Sequence, residues 1–150
     1  MSNPFTTAWH LSARFFTSLS PRPAPAADET WVAATLTSDE YGLWVQMSNQ
    51  DRRHSALVAR RFAARRPDAT RAEVAGAMLH DVGKIECGLG TFGRVAGTII
   101  GPRGRRFTAY HQHEAIGAQL AAEAGSDPST VALIAGEGPA FADLDAVDHA

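Results

Sequence analysis

The apolar positions of this chain recur at helical intervals, and the period-two alternation that a half-buried strand requires is absent. Leu43, Trp44 and Met47 form one group, Leu57, Val58 and Phe62 a second that is expected to face inward, and Val74, Ala77 and Met78 a third. Phe92, Val95, Ala96 and Ile99 repeat the spacing, as do His113, Ile116, Gly117, Leu120 and Ala124. The polar residues between these groups supply helix starts. Thr37 with Glu40 and Thr70 with Glu73 read as capping boxes, in which a hydroxyl and a carboxylate satisfy N–H groups left open by the first turn. Ser48 with Asp51 begins a helix expected to run to about Arg66, before Pro67. The helix opened by Thr70 is expected to carry His80 and to end at Gly83, and Gly125 is the expected stop of the 108–124 helix. Asp127-Pro128 reads as an N-cap and first helical residue for a short helix through Ile134, with a last helix over 139–150. The expected fold class is all-α.

Three prolines in five residues, Pro21, Pro23 and Pro25, interrupt this pattern with an extended connection. The expected organisation is a helix within residues 1–20, a proline-rich linker over 21–29 and a helical domain over 30–150. Trp9, Phe15 and Phe16 would pack the first helix onto the body. At 150 residues the chain suits one domain with a real core. A net charge of −2 gives no global attraction to nucleic acid or to an anionic membrane, so neither is an expected partner. Nothing reads as an export signal or a membrane span, and the cytoplasm is the expected location. Cys87, the single cysteine, excludes an internal disulfide and a thiolate metal cage.

The candidate chemistry gathers around one residue type that the chain otherwise avoids. Among fourteen lysines and arginines only Lys84 is a lysine, and it follows His80-Asp81 in Leu79-His80-Asp81-Val82-Gly83-Lys84. His54 stands upstream in Asp51-Arg52-Arg53-His54. One imidazole and then an imidazole beside a carboxylate offer a divalent metal three ligands from two helices. The mixed nitrogen and oxygen set suits Mn, Fe, Zn, Ni or Co, with Mg as a further candidate. Neighbouring helical residues point about 100° apart, so His80 and Asp81 can share an ion only near a helix end. Asp148 shares a helical face with Phe141 and Leu144, which makes it either a fourth ligand or part of a frayed, solvated end. Arg53, beside His54, is the arginine placed to face a substrate. Arg103, Arg105 and Arg106 lie in a glycine-rich loop that suits either an anion or a plain surface loop.

The order His54, His80-Asp81, Asp148 resembles the signature of the HD superfamily of metal-dependent phosphohydrolases. Leu79–Lys84 is similar to the LHDxGK form of small bacterial members, and Tyr110–Ala118 followed by Ala124-Gly125 resembles the family's "Y..HP..GA" helix and "AG" end. The resemblance spans roughly residues 48–148. It implies an HD-domain-like helical bundle, here with an extra N-terminal helix, and metal ligation by His54, His80, Asp81 and Asp148. It further implies a catalytic part for Asp81, for Lys84 near phosphate or the attacking water, and for His113 as a further ligand or a group near the phosphate. The implied activity is hydrolysis of a phosphoester of a small molecule, a nucleotide being one case. Where many relatives carry a His-His pair this chain reads Ala135-Gly136-Glu137, which points away from two metals and leaves Glu137 as a partial substitute. The competing expectation is a non-catalytic regulatory or scaffold module on the same fold.

Overall fold

The computed structural model describes residues 22–85 and 105–150, with side chains in the second stretch from His113 onward. The helices expected within 1–20 and over 91–100, together with Cys87 and Arg103, lie outside the described residues, as do the side chains of Arg105 and Arg106. Among the described residues the all-α expectation holds, with seven α-helices, one 3-10 turn and no strand. In chain order they are α1 (Ala26–Thr35), α2 (Ser38–Trp44), α3 (Asn49–Arg65), α4 (Arg71–Met78), the 3-10 turn Val82–Ile85, α5 (Arg105–Glu123), α6 (Pro128–Ile134) and α7 (Phe141–Asp148).

Helix α1 was not anticipated, and it begins inside the segment read as an extended linker. Pro25 is its N-cap, with Asp28 and Glu29 in the first turn, where negative charge complements the helix dipole. The other starts follow their caps. Thr37 and Thr70 each accept from the backbone of the glutamate three residues on, and each glutamate returns the bond to the cap's own N–H. Ser48 accepts from the Asp51 backbone, and Asp127 accepts from Ser129 at 2.8 Å with Pro128 at the first position. Removing one such cap typically costs about 1 kcal/mol. Helix α5 stops at Gly125 as expected: with φ at +75° the glycine sends its N–H to Ala122, while Ser126 bonds back to Ala121.

Helix α4 sits at the centre and packs against α1, α3 and α6. Trp44, Phe62, Met78 and Leu79 are fully buried around it. On α3 the inward stripe is Ser55, Val58, Ala59 and Phe62, a spacing of three and four. Leu57, expected inside, is 48% exposed because it falls off that stripe.

One carboxylate is built into this core. Glu40 has no exposed surface, yet it receives the Thr37 N–H at 2.8 Å, the Ser126 hydroxyl at 2.9 Å and the Arg71 guanidinium at 3.1 Å. Burial pushes its pKa up, but these bonds outweigh burial and hold it below the usual carboxylate value. The capping glutamate of α2 thereby ties α2 to the start of α4 and to the turn before α6.

The end of α4 departs from expectation in a way that positions the site. The helix stops at Met78, before His80, and Leu79 leaves the helical region at φ −103°, ψ 8°. His80 and Asp81 occupy the turn that follows, and the 3-10 turn then carries Gly83. Gly83 does not terminate α4; it permits a backbone crossing. A Cβ at this position would lie 2.1 Å from the His113 carbonyl oxygen of α5. Gly117, one turn along α5, completes the contact, since its Cβ would sit 3.1 Å from the Gly83 nitrogen.

Gly83→Ala is expected to destabilise the protein by about 2 kcal/mol or more, because backbone has to move. Gly42→Ala, in α2 with nothing within 4 Å of the added carbon, is expected to stabilise by about 0.5–1 kcal/mol. Urea unfolding of both variants checks the contrast, and equal midpoints would remove the crossing as the reason for glycine.

Candidate functional site

Three elements deliver the candidate residues to one cavity. His54 comes from the second turn of α3, His80 and Asp81 from the turn after α4, and Asp148 from the last turn of α7, which packs along α3. Asp148 Oδ1 lies 2.9 Å from His54 Nε2 and 3.4 Å from His80 Nε2. Asp81 Oδ2 lies 3.5 Å from His80 Nε2 and 4.0 Å from His54 Nε2. The two imidazole rings are tilted by 58° with centroids 5.8 Å apart. Leu144 and Val147 bury the inner face of α7, so Asp148 sits against two imidazoles and is not part of a frayed end.

His80 is oriented by the chain itself. Its Nδ1 faces the Ala77 carbonyl at 2.8 Å, and because a carbonyl only accepts, Nδ1 carries the proton. Nε2 is therefore directed toward Asp81 and Asp148, buried and without a well-formed hydrogen bond. At 3.4–3.5 Å those carboxylates are ion-pair partners only. Burial alone would lower the His80 pKa, but Asp81 and Asp148 outweigh it and push it up to about 9. Burial likewise raises the two carboxylates, and the imidazoles, with Lys84 beside Asp81, hold both below the usual range.

This donor set fits a divalent cation. His54, His80 and Asp81 each offer one ligand atom, and the three atoms lie within 4.8 Å of one another. His80 Nε2 is an orphaned buried nitrogen whose partner ring nitrogen is fixed by a backbone carbonyl, the arrangement found around metal-bound histidines. The nearby carboxylates supply oxygen donors and negative charge that would offset the charge of a divalent cation.

Lys84 and His113 flank the group. Lys84 Nζ is 3.1 Å from Asp81 Oδ2 and 3.6 Å from Asp51 Oδ1, and these carboxylates raise its pKa against the effect of burial. His113 Nε2 is 3.7 Å from Asp81 Oδ1. Burial lowers the His113 pKa, Asp81 opposes this and Lys84 reinforces it, so the ring is neutral at pH 7. Arg53 is not brought to the cavity; its guanidinium donates to the Arg22 carbonyl at 2.9 Å. Glu137 is exposed just beyond α6. Asp51 is the residue that sequence reasoning missed. It was read as a cap partner of Ser48, although its spacing of three from His54 already placed both on one helix face.

Because the folded His80 pKa lies above the ordinary value near 6.5, the imidazolium contributes stability fully below about pH 6.5. That contribution is lost as pH rises through about 9. Chelator-treated protein is expected to show a falling urea midpoint across this window, and Asp148→Asn is expected to flatten the fall. A midpoint that rises from pH 6.5 to 9 would contradict the ion-paired imidazole.

No protein-family model, curated protein or solved structure matches this chain.

Proposed function

We propose that this chain is a metal-dependent phosphohydrolase of the HD type, acting on a phosphoester of a small molecule. The observation that carries the reading is the convergence of His54, His80, Asp81 and Asp148 around an orphaned imidazole nitrogen, with Lys84 against the same carboxylate. The motif order read from the sequence supports the same assignment. His54, His80, Asp81 and Asp148 would hold the metal. Bound there, a divalent metal supplies Lewis acidity toward phosphoryl oxygen and acidifies a water to a pKa near 7.

The remaining steps fall to the chain. Asp81 faces His80 with Oδ2 at 3.5 Å and His113 with Oδ1 at 3.7 Å, so one oxygen would serve the metal while the other lies beside the His113 ring. Neutral His113 is suited to accept a proton from a nucleophilic water or to hydrogen-bond a phosphate oxygen. Lys84 offsets the charge that develops on the phosphoryl group, and Asp51 holds its ammonium in reach of Asp81. The competing reading is a non-catalytic module on the same scaffold, favoured by Ala135-Gly136, where many relatives carry two histidines.

Purified protein is expected to carry about one equivalent of transition metal by plasma emission, and His54→Ala or Asp81→Ala is expected to release it with helical content retained. Unchanged metal content in both variants would rule out this ligand set.

With added Mn²⁺, phosphate release from a panel of phosphoesters is expected, and Lys84→Met is expected to lower it at least tenfold, about 1.4 kcal/mol of transition-state stabilisation. Metal binding without turnover on any ester would favour the non-catalytic reading.

A further inference from the structure

Phe141, Leu144, Asp145 and Asp148, all from α7, line the cavity in front of His54 and His80. One wall of the candidate site is therefore a single helix, and that helix has little of its own to hold it. It is 8 residues long, and Ala140 at its start makes no side-chain cap hydrogen bond. So short a helix is marginal by itself in water, and its place is set by what it packs against. Leu144 and Val147 are its buried residues, and α3 is its main neighbour.

Polar contacts tie α7 to α3 at both of its ends. In the last turn Asp148 meets His54 at 2.9 Å. In the first turn Asp143 meets the end of α3, where its Oδ1 accepts from Arg65 Nε at 2.9 Å and its Oδ2 from Arg66 Nη1 at 3.2 Å. Each carboxylate oxygen thus has its own guanidinium. Arg66 is itself fixed, with Nε and Nη2 facing Glu73 at 3.1 and 3.4 Å. Glu73 is the capping carboxylate of α4 and also accepts from the Thr70 N–H at 3.1 Å. Arg66 therefore joins the first turn of α4 to the first turn of α7. The far ends of the same two helices deliver His80 and Asp81 on one side and Asp148 on the other.

A lone ion pair at a surface contributes little, because water competes for both partners and long side chains lose freedom. This group differs in two respects. Arg66 is already ordered by Glu73 before it meets Asp143, and the helix held by the contact has few other anchors. Asp143 stands five residues before Asp148, roughly 7.5 Å along the helix axis. It is absent from the cavity lining, so its effect on the site passes through the placement of α7.

We propose that Asp143, gripped by Arg65 and Arg66, is a positioning residue that docks α7 and so sets Asp148 against His54 and His80. Its consequence for metal affinity rests on the ligand set of the phosphohydrolase reading; the docking itself rests on the contacts between α3, α4 and α7.

The test measures hydrogen exchange of the α7 amides in chelator-treated full-length protein, and Mn²⁺ affinity of the same samples by isothermal titration at pH 7.5. Asp143→Asn is expected to speed exchange across α7 and to weaken Mn²⁺ binding at least fivefold, and Asp143→Glu is expected to recover most of both. In an Asp148→Asn background the same change is expected to alter affinity less than twofold, because the ligand that it places is gone. Thr37→Ala, which removes a cap outside the cavity lining, is expected to lower the urea midpoint with Mn²⁺ affinity unchanged. Unchanged α7 exchange in Asp143→Asn overturns the docking role. An equal affinity loss in Thr37→Ala, or an undiminished loss in the Asp148→Asn background, overturns the positioning role. Faster α7 exchange in Asp143→Asn with no Mn²⁺ binding by the unmodified chain supports the docking and sinks the metal reading instead.

Discussion

The hydrogen atom that Gly83 carries in place of a Cβ governs the site. Any larger group would meet the His113 carbonyl at 2.1 Å, so only glycine lets the 3-10 turn lie directly on α5. Gly117 makes the matching concession from the other side. The turn after α4 is thereby pinned, and His80 and Asp81 are held on its near edge. From the same contact His113 comes within 3.7 Å of Asp81. Close packing of two backbones is stiff, and that stiffness is what a ligand set needs if its atoms are to keep their spacing.

The protein buries carboxylates in two different ways. Glu40 is surrounded by an N–H, a hydroxyl and a guanidinium, and every demand it makes is met within the fold. It behaves as a structural bolt joining three segments. Asp81 and Asp148 instead face imidazoles at distances too long for good hydrogen bonds, apart from the 2.9 Å contact to His54. A buried nitrogen is left over between them. Glu40 has both oxygens bonded, whereas the His80 nitrogen stands between two carboxylates without a hydrogen bond, and this local difference sets the candidate site apart from the bolt.

Much of this was legible in the sequence because helix caps are local chemistry. Thr37, Ser48, Thr70 and Asp127 each announced a start that the structure places within a residue. The helical face of Phe141 and Leu144 likewise put Asp148 on the packed side of α7. The errors have physical reasons. Helix α1 was hidden by the prolines before it, although Asp28 and Glu29 after Pro25 were first-turn signals. Leu57 was read inward on hydrophobicity alone, whereas the real stripe uses Ser55 and Ala59, whose small side chains carry little weight in a hydrophobic pattern. The early end of α4 and the tie between Lys84 and Asp51 depend on tertiary contacts that no local pattern encodes. Arg53 turned to the Arg22 backbone for the same reason.

The contact between His54 and Asp148 joins residues 94 positions apart in the chain. Closing so long a loop carries an entropic cost that grows only slowly with length, yet it must be met before the two side chains can meet. Local elements such as the capped helices α2 and α3 can form early and cheaply, whereas this pairing waits for α7 to dock. The cluster is thus among the most non-local features of the described residues. A ligand held jointly by His54 and Asp148 would read out the completed topology, so its affinity and the integrity of the native state would rise and fall together.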